Sequence, residues 1–295
     1  MPGLIHRLTQ PEPLLFDGAT GTELQRRGFP LAGPAWSAAA ILEAPDLLRQ
    51  IHADYVAAGA DILTANTFRT HSRNLREAGL DKRAAELTYR AVDLARAAAA
   101  EGTLVAGSIA PLEDCYAPDR TPDTSALIAE HQEHAENLRA AGADLLLVET
   151  QITIREAVAA TAAALSTGLP VLTSFTLQHG LPGTSPSLLS GESLQQAANQ
   201  VIKVGALGIL LNCIPADEIL PALRQIGCSP AIPLGAYANT GRMLPDGTWA
   251  STTAENPAVY AEHATAWKAA EIRWIGGCCG TTPRHISAVR KALYG

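Results

Sequence analysis

Eight short apolar segments alternate with longer, alanine-rich segments along the chain, and this alternation restricts the folds that are open to it. The apolar segments are nearly continuous in hydrophobic residues, which is typical of strands buried on both faces in a parallel sheet. The predicted strands are residues 14–17, 61–64, 104–108, 144–149, 171–175, 208–212, 232–237 and 273–277.

The segments between the strands have the length and composition of helices. Several are followed by a glycine, such as Gly59, Gly142 and Gly205, as expected at a helix C-terminus. An Ala-Gly-Ala-Asp phrase leads from helix to strand at residues 58–61 and again at 141–144. The predicted helices are residues 46–58, 81–100, 124–141, 154–166, 193–204, 256–270 and 283–293.

This strand–helix alternation predicts an α/β protein, a single (β/α)8 TIM barrel that spans residues 1–295 as one domain. Barrels of this class commonly reach such a length, and a hydrophobic content of 47% supplies a large core. An open doubly wound sheet is the alternative. Its G-x-G-x-x-G fingerprint is missing after the first strand, where the sequence is Asp17-Gly-Ala-Thr-Gly-Thr.

The net charge of −7 argues against nucleic acid or an anionic membrane surface as a partner. No run of Lys and Arg exceeds two residues, and no apolar run reaches the roughly 18 residues of a membrane span. The first residues carry no signal-peptide core, so we expect a cytoplasmic protein. The sequence gives no indication of the oligomeric state.

Polar and sulfur-containing residues lie where predicted strands end, and a barrel brings those ends to one rim. The long segments 28–37, 110–123, 177–190 and 239–253 follow strands and belong to the same face. Cys213 follows the sixth strand, and the adjacent Cys278 and Cys279 follow the eighth, so we expect the three thiols to converge. The other residues at strand ends are Asp17, Gly18, Glu149 and Asn239.

Three thiolates suit Zn²⁺, with bonds of about 2.3 Å in a tetrahedral site. Both Cys278 and Cys279 can bind one ion only if the backbone turns sharply, which Gly276, Gly277 and Gly280 permit. The fourth position would remain open for a thiol substrate, which would lose its proton there although a free thiol has a pKa of about 8.5. The negative charge of such a site would attract a cationic methyl donor, such as a sulfonium.

Simpler interpretations remain for these residues. The three cysteines could be buried core thiols or a redox pair. Asp17 and Glu149 could cap helices or pair with arginines, and Asn239 could be a turn residue or a partner of a metal ligand. The two remaining cysteines, Cys115 and Cys228, lie outside the pattern and are not expected to be ligands.

Two further groups have spacing of interest. His131 and His134 stand three apart on a predicted helix, as metal ligands can, but the polar residues around them indicate a solvated face. Trp36, Phe68 and Tyr237 could surround a sulfonium by cation–π contact, although ordinary packing explains each of them singly.

Six sequence pieces together resemble the homocysteine S-methyltransferase family. They are Phe16-Asp-Gly-Ala-Thr-Gly-Thr-Glu-Leu, Ala65-Asn-Thr-Phe, Leu146-Leu-Val-Glu-Thr, Leu211-Asn-Cys, Ala238-Asn-Thr-Gly and Gly276-Gly-Cys-Cys-Gly-Thr-Thr-Pro. The last piece is highly specific, and the set extends from residue 16 to residue 283.

The resemblance implies a TIM barrel with Zn²⁺ on Cys213, Cys278 and Cys279. It implies that Asp17 and Glu149 hold the amino group of homocysteine. The backbone from Gly18 to Thr20 would hold its carboxylate, and Asn239 is a further substrate-binding candidate.

The chain ends soon after the cysteine pair and lacks a cobalamin motif, so it looks most like the short enzymes that use S-methylmethionine or S-adenosylmethionine. The expected reaction is direct in-line methyl transfer to the homocysteine thiol, which gives methionine. Two alternatives stay open: a homocysteine-activating subunit of a cobalamin or folate methionine synthase, and a noncatalytic barrel whose zinc only staples the sixth and eighth strands.

Overall fold

Eight parallel strands form the central sheet of the computed structural model, which describes residues 2–179, 185–226, 232–244 and 248–295. The first seven are β1 Leu14–Leu15, β2 Ile62–Thr64, β3 Leu104–Ile109, β4 Leu145–Gln151, β5 Val171–Phe175, β6 Gly208–Pro215 and β7 Leu234–Asn239. Strands β8 (Gly241–Met243) and β9 (Trp249–Ser251) form a separate antiparallel hairpin, and β10 (Trp274–Gly277) is the eighth strand of the sheet.

The sheet closes on itself. The strand order is β1-β10-β7-β6-β5-β4-β3-β2, with every neighbouring pair parallel. The two end strands meet through a parallel bridge between Phe16 and Ile62, where the Asp17 N–H donates to the Ile62 carbonyl at 2.9 Å. The predicted (β/α)8 barrel is therefore confirmed, and the open-sheet alternative is wrong.

Helices surround the barrel, and their ends follow the sequence signals. The side chains of Asp123, Thr153 and Ser193 each accept a backbone N–H at a helix start. Gly142 and Gly205 have positive φ just after helix ends. The helices are α1 Pro2–Leu8, α2 Gly21–Arg26, α3 Ala40–Glu43, α4 Pro45–Ala57, α5 Ser72–Arg76, α6 Ala84–Ala98, α7 Thr124–Ala140, α8 Ile154–Ser166, α9 Leu194–Val204, α10 Ala216–Leu223, α11 Pro257–Ala269 and α12 Pro283–Tyr294.

Several elements were not expected from the sequence. Helices α1, α2, α3, α5 and α10 add to the predicted set. Helix α10 carries Pro221 in its interior, a residue that usually interrupts a helix, so the sequence did not indicate it. The β8–β9 hairpin occupies much of the predicted loop 239–253. Cys228 and part of the predicted loop 177–190 lie outside the described residues.

The barrel interior is apolar at its amino end. Leu145 and Leu147 of β4, Leu172 of β5, Leu210 of β6 and Trp274 of β10 belong to one buried cluster. Leu8 of α1 joins this cluster, so the first helix seals the amino end of the barrel. The intervening residues of the same strands pack outward against the surrounding helices, as strand alternation requires.

The interior becomes polar towards the carboxyl ends of the strands. The inward position that follows the apolar layers is Ser108 on β3, Glu149 on β4, Ser174 on β5 and Asn212 on β6, and all four are buried. The fold therefore places a polar layer directly below the rim at which barrel enzymes carry their active sites. Among the helices of the described ranges, none is long and apolar enough to cross a membrane.

Candidate functional site

Three cysteine thiols meet at the carboxyl rim of the barrel. Cys213 lies near the end of β6, and Cys278 and Cys279 follow β10 directly. Their sulfur atoms all lie within 4.8 Å of one another, and the Cys213 and Cys279 sulfurs are 3.9 Å apart. The structure thus brings together the three cysteines that the sequence pattern singles out.

An irregular backbone aims Cys213 at the other two thiols. On a regular strand it would point outward, because Leu211 packs in the outer core and Asn212 points inward. Cys213 instead has left-handed backbone geometry, with φ of 59°, where the register of β6 on β7 shifts between Asn212 and Pro215. This distortion breaks the alternation and turns the thiol towards the rim.

The glycines beside the cysteine pair are required by close packing. A Cβ on Gly280, whose φ is +82°, would lie 2.0 Å from the Thr240 hydroxyl oxygen. A Cβ on Gly277 would lie 2.4 Å from the Thr281 hydroxyl oxygen. Side chains at these positions would therefore push the cysteine segment off its neighbours.

The clustered thiols shift one another's pKa values in opposite directions. The pKa of Cys213 is well below its usual value, because its thiolate accepts hydrogen bonds from Cys278 and Cys279, with weaker help from Tyr116 and Asn239. The pKa values of Cys278 and Cys279 are well above the usual value, mainly because their protons are held by Cys213. A thiophilic divalent cation would allow all three to ionise, so the donor set fits a metal ion.

Two polar side chains contact the thiols. The Tyr116 hydroxyl lies 3.5 Å from the Cys213 sulfur, and this residue, on the loop after β3, is 48% exposed. Asn239, named from the sequence as a substrate-binding candidate, accepts a hydrogen bond at 3.0 Å from the Cys279 backbone N–H. The Asn239 amide therefore supports the cysteine cluster, whatever its contact with a substrate.

Two carboxyl groups are buried at the carboxyl ends of the strands, and Glu149 is close enough to Cys213 to feel its charge. Asp17 accepts the Thr64 backbone N–H at 2.9 Å, and burial raises the pKa of its carboxyl to about 8. Glu149 accepts the hydroxyls of Ser108 at 2.5 Å and Tyr237 at 3.3 Å, and burial raises the pKa of its carboxyl to about 7. The charge of Glu149 raises the pKa of Asp17 further, so a nearby cation would favour the ionised form of either carboxyl.

The loop that follows β1 is tied to the cysteine segment. The Ala19 N–H donates to the Thr281 hydroxyl at 3.1 Å, and the Gly280 N–H donates to the Thr22 hydroxyl at 3.0 Å. A Cβ on Gly18 would lie 2.7 Å from the hydroxyl oxygen of Tyr55. Gly18 and Thr20, the predicted carboxylate cradle, therefore lie next to the cysteine pair.

The two histidines on α7 are buried, so their interpretation as part of a solvated face is wrong. His131 Nε2 lies 3.2 Å from a Glu156 carboxylate oxygen, and His134 Nε2 lies 3.2 Å from the Ser108 carbonyl. Within the part of the chain that the structure describes, the three cysteines are the one group of three or more metal-binding side chains close enough to share an ion.

The aromatic candidates separate into two places. The Trp36 and Phe68 rings meet edge to face with centroids 6.1 Å apart. Tyr237 stacks on Phe16 inside the barrel, with centroids 6.0 Å apart. Only the first pair is partly exposed and available to a ligand at the rim.

Sequence reasoning missed several residues of the site. Ser108 and Ser174 stand at the ends of the third and fifth strands, so the strand-end rule that found Glu149 should have included them. Tyr116 lies in a loop that was assigned to the catalytic face, which is a weaker signal. The contacts of Asn212 with Thr150 have no sequence signal of their own.

The fold and the site together define a (β/α)8 barrel whose carboxyl rim carries a candidate metal centre of three thiols and, separately, two buried carboxyls. The family model described as homocysteine S-methyltransferase matches residues 14–293. The homocysteine S-methyltransferase of Escherichia coli (strain K12) is 35% identical, over 96% of this chain and 96% of that protein. The chain therefore belongs to the homocysteine S-methyltransferase family.

Further relatives agree with this assignment. The selenocysteine Se-methyltransferase of Brassica oleracea var. italica is 29% identical over 95% of this chain and 88% of that protein. The crystal structure of the E. coli homocysteine methyltransferase MmuM in its metallated form superposes with a TM-score of 0.80 and 32% identity, covering 96% of each chain. The fold is thus shared with a methyltransferase that has been crystallised with metal.

Proposed function

We propose that this chain transfers a methyl group from a sulfonium donor, S-methylmethionine or S-adenosylmethionine, to the thiol of homocysteine, which yields methionine. The proposal rests on one observation above all: three thiols lie beside two buried carboxyl groups at one barrel rim. The thiols suit a metal that binds a sulfur substrate, and the carboxyls suit the ammonium group of an amino acid.

Zn²⁺ is the metal that best fits the thiols. A tetrahedral site with Zn–S bonds of about 2.3 Å places its sulfurs about 3.8 Å apart. The 3.9 Å between the Cys213 and Cys279 sulfurs is close to that spacing. Held by Cys213, Cys278 and Cys279, Zn²⁺ would lower the pKa of the homocysteine thiol so that it reacts as a thiolate at neutral pH.

The two carboxyl groups would bind the substrate ammonium. Burial raises the pKa of Asp17 to about 8 and that of Glu149 to about 7, so their ionised forms are disfavoured in the free protein. An ammonium group between them would offset that penalty, which makes the pair selective for a cation. The backbone from Gly18 to Thr20 would hold the substrate carboxylate.

Other side chains at the rim of the barrel would orient the methyl donor and exclude water. In the transfer, the substrate sulfur forms a bond to the methyl carbon while the donor's sulfur–carbon bond breaks, and the donor leaves as a neutral thioether. The anionic rim would attract the positive sulfonium, and the Trp36–Phe68 pair offers partly exposed aromatic rings nearby. Catalysis would then come mainly from positioning and from desolvation.

A methyl-transfer assay tests this function. Homocysteine is held constant while S-methylmethionine, S-adenosylmethionine, betaine and methylfolate are supplied in turn to the purified zinc-loaded protein. We expect methionine with at least one sulfonium donor and none with betaine or methylfolate. Turnover with a sulfonium and no second protein would exclude a subunit role, whereas turnover with betaine alone would contradict the donor assignment.

Cysteine variants test the metal ligands. Replacing Cys213, Cys278 or Cys279 by alanine should abolish stoichiometric zinc binding and reduce turnover by more than about 100-fold, since each removes one of three ligands. Cys115→Ala is the matched control, because this buried cysteine lies outside the cluster and should keep one equivalent of zinc. Near-normal turnover in any ligand variant would refute the assignment.

Cobalt substitution distinguishes a catalytic centre from a structural staple. Homocysteine added to the Co²⁺-loaded protein should change the thiolate-to-metal absorption if the substrate sulfur binds the ion. A spectrum that homocysteine leaves unchanged would favour the noncatalytic alternative.

A further inference from the structure

Among the described residues, two strand residues other than glycine have left-handed backbone geometry, and both lie near the carboxyl ends of their strands. Thr150, with φ of 56°, lies where the register of β4 on β5 shifts between Val148 and Gln151. Cys213, with φ of 59°, lies at the corresponding shift in β6. This conformation is strained for any residue with a side chain, most of all for a β-branched threonine, so neighbouring contacts must maintain it.

The buried side-chain amide of Asn212 makes contacts that can maintain the left-handed backbone of Thr150. Asn212 Oδ1 accepts the Thr150 backbone N–H at 3.2 Å and the Ser174 hydroxyl at 2.7 Å. Asn212 Nδ2 donates to the Thr150 hydroxyl oxygen at 2.8 Å. The side chain thus reaches from β6 across the end of β5 to β4, and its exposed fraction is 0%.

The amide joins two functional positions. Thr150 directly follows Glu149, the carboxyl assigned to the substrate ammonium, and Asn212 directly precedes Cys213, an assigned metal ligand. We propose that Asn212 is a positioning residue that fixes Glu149 and Cys213 relative to each other, so that the substrate's ammonium and sulfur groups fit the site at the same time. This inference rests on the proposed function, because it takes the roles of Glu149 and Cys213 from there.

An ordinary structural role is the competing explanation, since any buried amide with satisfied hydrogen bonds stabilises a fold. The two explanations differ in what a small change should affect. A structural role changes the free energy of unfolding alone. A positioning role also changes the affinities for the metal and for the amino acid.

Thr150→Val is the first test, because it removes the hydroxyl and keeps the β-branched shape. We expect it to weaken the affinities for Zn²⁺ and for L-homocysteine by about fivefold each. Thr150→Ser restores a hydroxyl and should restore both affinities. Zn²⁺ affinity is measured by competition with a chromophoric chelator, and homocysteine affinity by calorimetry on the zinc-loaded protein.

Thr161→Val is the matched control. The Thr161 hydroxyl lies 2.9 Å from the Thr173 hydroxyl, in a buried pair between α8 and β5. Its loss should reduce resistance to urea about as much as Thr150→Val does, without changing either affinity. Equal affinities in Thr150→Val and Thr161→Val would overturn the positioning role.

A double variant tests the pairing itself. Asn212→Leu replaces the amide by an apolar side chain of similar shape. It should weaken the affinities for Zn²⁺ and for homocysteine more than Thr150→Val does. Adding Thr150→Val to Asn212→Leu should then have no further effect, because the shared contact is already lost. Full additivity would contradict the proposal.

Different outcomes would overturn the proposed function and the positioning role of Asn212. If the unmodified protein binds neither Zn²⁺ nor homocysteine, the proposed function is wrong and the positioning role falls with it. If the unmodified protein binds both and Thr150→Val binds them equally well, the positioning role alone is wrong.

Discussion

Replacing Glu149 by glutamine should stabilise the metal-free, ligand-free protein. Burial raises the pKa of this carboxyl from 4.5 to about 7. A rise of about 2.5 in pKa corresponds to ~3 kcal/mol by which the folded state disfavours the ionised form. Glutamine has the same shape, and its amide can still accept or donate hydrogen bonds with the hydroxyls of Ser108 and Tyr237.

The stabilisation should depend on pH. Below pH 4.5 the carboxyl is protonated in both the folded and the unfolded chain, so its ionisation has no effect on stability. Between pH 4.5 and about 7 the unfolded chain ionises and the folded chain does not, so wild-type stability falls as the pH rises. We therefore expect Glu149→Gln to exceed wild type in free energy of unfolding by ~3 kcal/mol at pH 8, but by only ~1 kcal/mol at pH 5.

Urea unfolding of both proteins at pH 5 and pH 8, with reductant and a chelator present, measures this difference. Comparing the two proteins at each pH cancels the titration of the cysteines to first order. Glu156→Gln is the control. The buried Glu156 side chain accepts the Leu112 N–H at 2.8 Å and lies 3.2 Å from His131, and its replacement should give no comparable gain in stability. A Glu149→Gln protein that is less stable than wild type at pH 8, or a difference independent of pH, would refute the reasoning.

Homocysteine binding should stabilise wild type more than Glu149→Gln, which is the opposite of the order expected without ligand. Homocysteine added to the zinc-loaded proteins should stabilise wild type, because its ammonium offsets the charge of Glu149. The glutamine variant lacks that charge and should gain much less. Equal stabilisation of both proteins by homocysteine would remove Glu149 from the ammonium site.

Two further substitutions test the surroundings of the cluster. Tyr116→Phe removes a hydroxyl that lies 3.5 Å from the Cys213 sulfur, so it should weaken zinc binding by about tenfold in a chelator competition. The free energy of unfolding should change by less than ~0.5 kcal/mol. An unchanged zinc affinity would contradict this prediction. Gly280→Ala should prevent stoichiometric zinc binding, since its Cβ would lie 2.0 Å from the Thr240 hydroxyl oxygen. Gly142→Ala is the control, because Gly142 has a similar φ and a Cβ there would have nothing within 4 Å. It should lower the free energy of unfolding by only ~1 kcal/mol and leave zinc binding intact. Equal effects of the two substitutions on zinc binding would refute the packing argument.

The sequence predicted the barrel because its strands are buried on both faces and therefore form continuous apolar runs. It placed the ends of β4 and β6 too early, at residues 149 and 212, whereas these strands extend to Gln151 and Pro215. Both resume pairing beyond a left-handed residue, Thr150 or Cys213. Nothing in a threonine or a cysteine indicates such a backbone, so the extension could not be predicted.

The candidate site was largely predictable for a geometric reason. Parallel strands all end at one rim, so Cys213, Cys278 and Glu149 could be placed together without knowing any contact. The hydrogen bonds that hold them could not be predicted in this way, because Asn212 reaches across an intervening strand. The burial of His134 was misjudged because the polar residues beside it in sequence lie on other faces of α7.

The pairing of β1 with β10 governs when the protein can become functional. Leu14 has Trp274 as its neighbour in the sheet, and Leu8 packs in the same cluster as Trp274. The ribosome synthesises β1 long before β10. The edge of β1 that pairs with β10 therefore stays unpaired until residue 274 has been synthesised. Cys278 and Cys279 emerge after that strand. A prematurely terminated chain would therefore lack both the pairing of β1 with β10 and two of the three clustered thiols.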